Sequence, residues 1–184
     1  MHQPIILPYQ GVLPTIHPTA RIAVGAVIIG NVIIGAESNI WYGCVLRGDD
    51  EPITIGKRCN IQDGTIIHVN INTPTMIGDD VSIGHMALIH ATTIESSGFV
   101  GMKAIVLDGS RIESHAMLAA GGLLTPRKII PKGELWAGSP AKKMRNTNDA
   151  DKKMMAWTAP HYVDLAKKSQ LPTNLSNIKQ AMAN

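Results

Sequence analysis

The feature that most constrains the fold of this 184-residue chain is an aliphatic residue that recurs at every sixth position. Neither the period of a helix, 3.6 residues, nor that of an ordinary strand, two residues, explains such spacing. A six-residue period is typical of a β-helix, in which short parallel strands stack coil upon coil around one core. With short interruptions, the series consists of Ile16, Ile22, Ile28, Ile34, Ile40, Leu46, Ile55, Ile61, Ile67, Ile77, Ile83, Ile89, Ile94, Val100, Val106, Ile112, Leu118 and Leu124.

A second position, two residues before the aliphatic one, holds small or β-branched residues. We expect both positions to face inward, with the small side chains in the corners of a narrow core. Cys44 and Cys59 fall at this second position, so we interpret them as buried, reduced thiols and not as a redox pair. The other members are Ala20, Ala26, Val32, Ser38, Thr65, Thr75, Val81, Ala87, Thr92, Gly98, Ala104, Ser110 and Ala116.

The composition excludes several classes of function. Charged residues make up 17% of the chain and the net charge is +3, without a basic stripe interleaved with aromatic residues, so nucleic-acid binding is not expected. No apolar run approaches the roughly 18 residues that span a bilayer, and the N-terminus lacks the features of a signal peptide. We therefore predict a cytoplasmic protein that does not bind membranes.

The repeat divides the chain into four parts. We expect an N-terminal extension over residues 1–15, a β-helix domain over 16–148, a C-terminal helical segment over 149–170 and a polar tail over 171–184. The helical segment contains apolar residues that could lie along the rod. Pro160 is expected to kink or break it.

The stacking of the coils can be derived once the number of hexapeptides per turn is known. The chain resembles known hexapeptide-repeat proteins, whose coils are left-handed, with three hexapeptides per turn. With that arrangement, Leu46, Ile67 and Ile89 fall on one face. On another face the corresponding column consists of Ile61, Ile83 and Val100.

Two outward-facing ladders of side chains follow from this stacking. The first consists of Arg47, His68 and His90, and the second of Asp63, His85 and Met102. One side of the triangle, on the order of 15 Å of extended chain, separates the ladders within a subunit. Complementary groups at matching heights therefore predict that the ladders meet across an interface. A ring of three rods, a homotrimer, satisfies this requirement.

Three histidines meeting at one point match a metal site with a fourth position open for water. Isolated histidines are usually solvated surface residues. The register of His68, His85 and His90 on the two ladders favours metal binding over that interpretation.

A set of motifs surrounds these ladders in a fixed order, and together they resemble the γ-class carbonic anhydrase family from about Ile16 to Lys143. The motifs are Arg47-Gly48-Asp49-Asp50, Asn60-Ile61-Gln62-Asp63-Gly64 before His68, Ile83-Gly84-His85 before His90, Val100-Gly101-Met102, and Gly138-Ser139-Pro140-Ala141-Lys142.

The resemblance implies a mainly β fold, a single-stranded left-handed parallel β-helix with a C-terminal α-helical segment. It also implies a divalent metal, with Zn²⁺ favoured and Fe²⁺ or Co²⁺ as alternatives. His68 and His90 of one subunit and His85 of the next would hold this metal.

The resemblance also implies roles for the neighbouring residues. Gln62 would orient the metal-bound water, and Asn60 belongs to the same catalytic group. Arg47 and Asp63 would form an intersubunit pair. For these two and for Asp49, we favour a structural role at the interface over catalysis.

The reaction implied by the resemblance is the reversible hydration of carbon dioxide to bicarbonate by a metal-bound hydroxide. Fast members of the family carry an acidic loop that supplies a proton-shuttling glutamate. Here the loop after His68, Val69-Asn70-Ile71-Asn72-Thr73-Pro74-Thr75, has no acidic residue. We therefore expect slow or cryptic hydration.

Two other functions fit the repeat. A hexapeptide-repeat acyltransferase would bind acyl-CoA and use one histidine as a general base, although three histidines in register argue against it. A non-catalytic trimeric assembly module would keep the metal for stability alone. Metal content and carbon dioxide hydration, measured together, separate these functions.

Overall fold

Short parallel strands stack into a left-handed β-solenoid of about seven turns, followed by a C-terminal helix, which confirms the predicted fold class. The computed structural model describes residues 3–171. The polar tail expected from the sequence lies, apart from Leu171, outside the described residues.

Most strands are only two or three residues long, as the triangular coil requires. In chain order they are β1 (Ile5–Leu7), β2 (Thr15–Ile16), β3 (Arg21–Ile22), β4 (Val27–Ile34), β5 (Asn39–Ile40), β6 (Val45–Ile55), β7 (Asn60–Ile61), β8 (Ile66–His68), β9 (Thr75–Ile77), β10 (Ser82–Ile83), β11 (Leu88–His90), β12 (Thr93–Ile94), β13 (Phe99–Val100), β14 (Ile105–Val106), β15 (Arg111–Ile112), β16 (Met117–Leu118), β17 (Leu123–Leu124), β18 (Ile129–Ile130), β19 (Glu134–Gly138) and β20 (Ala141–Asn146).

The strands form three faces of a triangular rod. The first face runs from β1 through the first parts of β4 and β6 to β8, β11, β14 and β17. The second face runs in the order β3, β5, β7, β10, β13, β16 and β19. The third face comprises β2, the later parts of β4 and β6, and then β9, β12, β15 and β18. Strands β4 and β6 are long because each continues from the first face into the third.

The core contains the residues that the six-residue period predicts. Every aliphatic residue of the series is buried except Ile16, which is partly buried and packs against the others. Both predicted columns are confirmed. Ile67 pairs in register with Leu46 and Ile89, and Ile83 pairs with Ile61 and Val100.

Both cysteines lie in the core, as predicted. Cys44 and Cys59 have no exposed surface and are free thiols. Burial raises the pKa of each thiol to about 12, since the core disfavours the charged thiolate. Neither side chain is therefore suited to nucleophilic or redox chemistry.

Neither thiol should react with an uncharged thiol reagent at pH 8 while the protein is folded. A pKa near 12 leaves on the order of one thiolate in ten thousand at that pH. Mass spectrometry after timed labelling measures the reaction, and the urea-unfolded chain is the positive control. Labelling of the native protein at the rate of the unfolded chain would contradict the placement of both cysteines.

One helix, α1 (Asp149–Lys168), covers the second face. Its N-terminus is capped by Asn148, whose side chain accepts a hydrogen bond from the Asp151 backbone N–H, while the Asp151 carboxylate accepts one from the Asn148 N–H. The helix runs from the late coils, where Met155 packs with Met117 and Leu135, back to the early coils. There Tyr162 and Ala166 pack with Ala23 and Trp41.

Of the two expectations for Pro160, a kink or a break, the break is wrong, because α1 is continuous through this residue. A proline inside a helix removes one hydrogen bond and costs about 3 kcal/mol. Buried residues on both sides of it, Met155, Ala159 and Val163, hold the helix against the rod. Their burial offsets the local penalty.

The described residues include no helix that is long and apolar enough to cross a membrane.

Candidate metal centre

His68 and His90 end adjacent strands of the first face and stand one above the other. They are paired in register between β8 and β11, as the first ladder predicted. Both side chains are partly exposed, at 20% and 28%. Their rings approach closely, with 3.2 Å between His68 Nδ1 and His90 Nε2.

Each of these two rings has its other nitrogen bound to a carboxylate. His68 Nε2 lies 2.9 Å from Asp49 Oδ1, and His90 Nδ1 lies 2.6 Å from Asp108 Oδ1. An ionised carboxylate only accepts hydrogen bonds, so both contacts require the imidazole to donate. In the neutral rings, the nitrogens that face each other across 3.2 Å are then both lone-pair acceptors. Two lone pairs at this distance repel unless one nitrogen takes up a proton or both bind a metal cation.

His85 lies at the corner between the second and first faces, in the second ladder. Its Nδ1 lies 2.9 Å from Asp63 Oδ2, so Nδ1 donates and Nε2 remains an acceptor. Within residues 3–171 of one chain, no three His, Cys, Asp or Glu side chains are grouped so that they could hold a metal. The structure therefore brings His68 and His90 together and leaves His85 apart from them, as the ladder geometry predicted for a single subunit.

Arg47 continues the first ladder one coil before His68. Its guanidinium donates to Asp49 of the same chain, while Asp63 receives its hydrogen bond from His85. Burial raises the pKa of Asp49, but hydrogen bonds from His68 and the Asp50 N–H outweigh it and hold that pKa below its ordinary value. Asp49 is therefore ionised at neutral pH and connects Arg47 to His68.

Asn60 and Gln62 form a buried polar row beside the second ladder. Gln62 Nε2 donates to Asn60 Oδ1 at 2.9 Å, and Asn60 Nδ2 donates to Ser82 Oγ at 2.7 Å. Asn60 has no exposed surface, whereas 5% of Gln62 remains accessible, next to Asp63 in the chain. Asn60 therefore contacts Gln62 from a fully buried position and holds its side-chain amide.

The first face also carries an uninterrupted aliphatic stripe on its outer surface. Its members are paired in register from one strand to the next. Three of them are 36–48% exposed, and the other four are half-buried. The aliphatic stripe consists of Ile5, Val27, Val45, Ile66, Leu88, Ile105 and Leu123.

Proteins related to this chain identify its family. A carbonic anhydrase of Geobacillus kaustophilus is 39% identical over 160 residues, which span 87% of this chain and 88% of the relative. The chain belongs to the γ-class carbonic anhydrase family. A mitochondrial protein of Arabidopsis thaliana, γ carbonic anhydrase 2, is 47% identical over 160 residues, or 84% of this chain. The chain spans 58% of the length of that relative.

A solved structure shares the fold of this chain. A hexapeptide transferase family protein from Anaplasma phagocytophilum is 45% identical and superposes with a TM-score of 0.86. The match covers 89% of this chain and 97% of that protein. No protein-family model matches the chain.

Membership of the γ-class carbonic anhydrases implies a divalent metal. The side chains of this chain fit a divalent metal. His68, His85 and His90 each donate a hydrogen bond to a carboxylate from one nitrogen and keep a lone pair for metal binding on the other. Carboxylates that hold the second nitrogen of a metal-binding histidine are a recurrent feature of metal sites.

Two features of this surface are not among the predictions from sequence. Asp108 lies 18 residues after its partner His90, one residue beyond the 17-residue offset that pairs Ile89 of β11 with Val106 of β14. Continuing the first ladder by one coil reaches Leu107, directly before it. The aliphatic stripe could be found by applying the same six-residue period to the outward position directly before each core residue of the first face.

Proposed function

We propose that this protein catalyses the reversible hydration of carbon dioxide to bicarbonate at a divalent metal site shared between subunits of a homotrimer. His68 and His90 of one subunit and His85 of its neighbour would hold the metal. Membership of the γ-class carbonic anhydrase family supports this reaction, and relatives in two organisms are named carbonic anhydrases.

One observation carries the proposal. The lone pairs of His68 Nδ1 and His90 Nε2 face each other across 3.2 Å, while each ring donates its remaining proton to a carboxylate. A divalent cation relieves the repulsion between these two acceptors and suits imidazole ligands. His85 Nε2 also keeps a free lone pair, because His85 Nδ1 donates to Asp63. It would supply a third metal-binding nitrogen from the other ladder.

The chemistry that such a metal supplies is hydroxide at neutral pH, because coordination lowers the pKa of water from about 15.7 to about 7. Gln62 would orient the reacting water from its partly accessible position, with Asn60 holding its side chain. Arg47 and Asp63 would pair across the subunit boundary. Asp49 would remain ionised and hold the His68 ring.

The loop between His68 and Thr75 contains no acidic residue to carry protons away from this site. We therefore propose that hydration is slow and limited by proton export.

Exposed apolar surface supports the homotrimer. The aliphatic stripe lies on the face that carries His68 and His90, and contiguous exposed apolar surface of this kind marks interaction sites. The corner that carries His85 adds three exposed apolar side chains, Tyr42, Met86 and Met102. A heterologous contact between stripe and corner would bring the two ladders together and close after three subunits.

Ile66→Asp should dissociate the trimer, because it introduces a charge into the centre of the aliphatic stripe. Ile129→Asp is the matched control, since Ile129 is 47% exposed on the third face and Ile66 is 45% exposed on the first. Sedimentation velocity at micromolar concentration should show monomers for Ile66→Asp and trimers for Ile129→Asp. A trimeric Ile66→Asp protein would contradict the proposed interface.

Metal analysis and a carbon dioxide hydration assay, made on the same preparation, test the proposed function. Protein purified without chelator should contain about one divalent metal per chain, with zinc as the proposed metal and iron or cobalt as alternatives. Hydration followed with a pH indicator should disappear after chelation and return when metal is added. His85→Ala is the control that should lose both metal and activity.

The solved structure from Anaplasma phagocytophilum supports a second candidate, because it is described as a hexapeptide transferase family protein. An acyltransferase would consume acetyl-CoA in the presence of an amine or hydroxyl acceptor and would not need the metal. Release of free CoA by the chelated protein would favour this candidate. Bound metal without either activity would instead indicate a non-catalytic assembly module.

A further inference from the structure

Asp108 is linked on both sides, to His90 and to the loop after His68. Its Oδ1 accepts from His90 Nδ1 at 2.6 Å, and its Oδ2 accepts from Asn70 Nδ2 at 2.8 Å. The Asn70 side chain is held in turn, because its Oδ1 accepts from the Ile71 N–H at 2.9 Å. The carboxylate is therefore fixed by two donors and cannot turn away from His90 without losing one of them.

The loop that supplies Asn70 is itself closed. Asn70 and Thr73 exchange two backbone hydrogen bonds, 3.1 Å and 2.9 Å long. Thr75 Oγ1 then donates to the carbonyl oxygen of His68 at 2.6 Å. The loop thus contacts the backbone of His68 through Thr75, and the ring of His90 through Asn70 and Asp108.

From this geometry we infer that Asp108, held by Asn70, is a positioning residue that fixes the orientation and tautomer of His90. The inference rests on the proposed metal site and adds two residues to it. Because Asp108 accepts a hydrogen bond, the proton of the neutral ring stays on Nδ1. Nε2, which faces His68, is then the nitrogen available to a divalent cation.

The metal-free protein provides a test that does not depend on metal binding. Two-bond ¹H–¹⁵N NMR of ¹⁵N-histidine-labelled protein at pH 8 identifies the protonated nitrogen of each ring, and a His90→Gln variant assigns the signals. Wild-type His90 should be the Nδ1–H tautomer. In Asp108→Ala it should shift to a mixture rich in Nε2–H, as for free imidazole side chains. An unchanged Nδ1–H tautomer in Asp108→Ala would overturn the inference.

Metal affinity, measured by competition between zinc and a chelator, tests the consequence of this positioning. Asp108→Asn should weaken zinc binding by about 10- to 100-fold, the range typical of outer-shell partners. In this variant the amide oxygen at position 108 can still accept from His90 Nδ1. The amide NH₂ then points at the NH₂ of Asn70, so two hydrogen-bond donors face each other. Glu95→Gln is the control, because it removes the same charge from a carboxylate that pairs with Arg111 on another face. It should leave the affinity within about twofold of wild type.

Exchanging the two side chains separates hydrogen bonding from charge. In the Asp108→Asn, Asn70→Asp double variant, the amide introduced at position 108 donates to the carboxylate introduced at position 70, and the amide oxygen still accepts from His90. Zinc affinity should recover toward wild type. Asn70→Asp alone places two carboxylates together and should weaken binding. No recovery in the double variant, or tighter binding by Asn70→Asp alone, would overturn the inference.

These outcomes distinguish the inference from the proposed function. A wild-type protein that binds no divalent metal would contradict the proposed function. The NMR measurement of the His90 tautomer would still test the role of Asp108. A protein that binds zinc equally well with and without Asp108 would keep the proposed function and remove the inference.

Discussion

Mixing the His85→Ala and His90→Ala proteins should restore part of the metal that each variant loses alone. Each boundary between subunits draws His68 and His90 from one chain and His85 from the next. The His85→Ala chain keeps His68 and His90, and the His90→Ala chain keeps His85. A boundary is therefore complete only where the first ladder of a His85→Ala chain meets the His85 side chain of a His90→Ala chain. In trimers reassembled at random from equal amounts, about one boundary in four meets this condition.

The measurement is bound metal per chain after the two variants are unfolded and refolded together. It should rise from near zero to about a quarter of the wild-type value. A mixture of His68→Ala with His90→Ala is the matched control, because both variants lack an intact first ladder and no boundary can be complete. If the two mixtures contain the same amount of metal, the ligands do not come from neighbouring chains.

Ile94→Ala should produce a large loss of stability at a position away from the metal centre. Ile94 has no exposed surface and lies in register between Ile77 and Ile112 in the core. Truncating a buried isoleucine to alanine typically lowers the free energy of unfolding by about 2–5 kcal/mol, because apolar contacts are lost and a cavity remains. The narrow core has few neighbouring side chains that could close such a cavity.

Ile129→Ala is the control for this substitution. Ile129 belongs to the same face but points outward and is 47% exposed, so the same truncation should change stability by no more than about 0.5 kcal/mol. Urea unfolding at one protein concentration compares the two variants. Equal losses would mean that the core does not follow the six-residue period.

The sequence predicts the core of this fold well because the pattern that specifies it is local. Each hexapeptide places one aliphatic and one small residue inward, and the same rule repeats around the triangle. The ladders could also be predicted, since aligning the aliphatic columns places His68 level with His90 despite a separation of 22 residues. That separation exceeds one plain coil because the loop after His68 lies between the two histidines.

Side-chain contacts at the corners are harder to predict. Asp108 meets His90 from a corner of the next coil, where the chain leaves the strand and the regular inward and outward alternation ends. Arg47 pairs with Asp49 two residues away, a local contact that a scheme based on stacking columns does not consider. The continuity of α1 through Pro160 depends on packing against the second face, which the sequence of the helix alone does not contain.

Helix α1 also bears on how the rod unfolds. A stack of coils contacts only its nearest neighbours, so its ends can fray while the middle remains folded. Here the C-terminal end of the helix is attached to the first coils, through Arg21 Nη1 donating to the Leu171 carbonyl at 2.8 Å and Lys167 lying 3.4 Å from Glu37. The helix acts as a brace between late and early coils, so local fraying at either end is coupled to the whole rod. During synthesis this brace forms last, which leaves the early coils without their cover until the C-terminal segment has emerged.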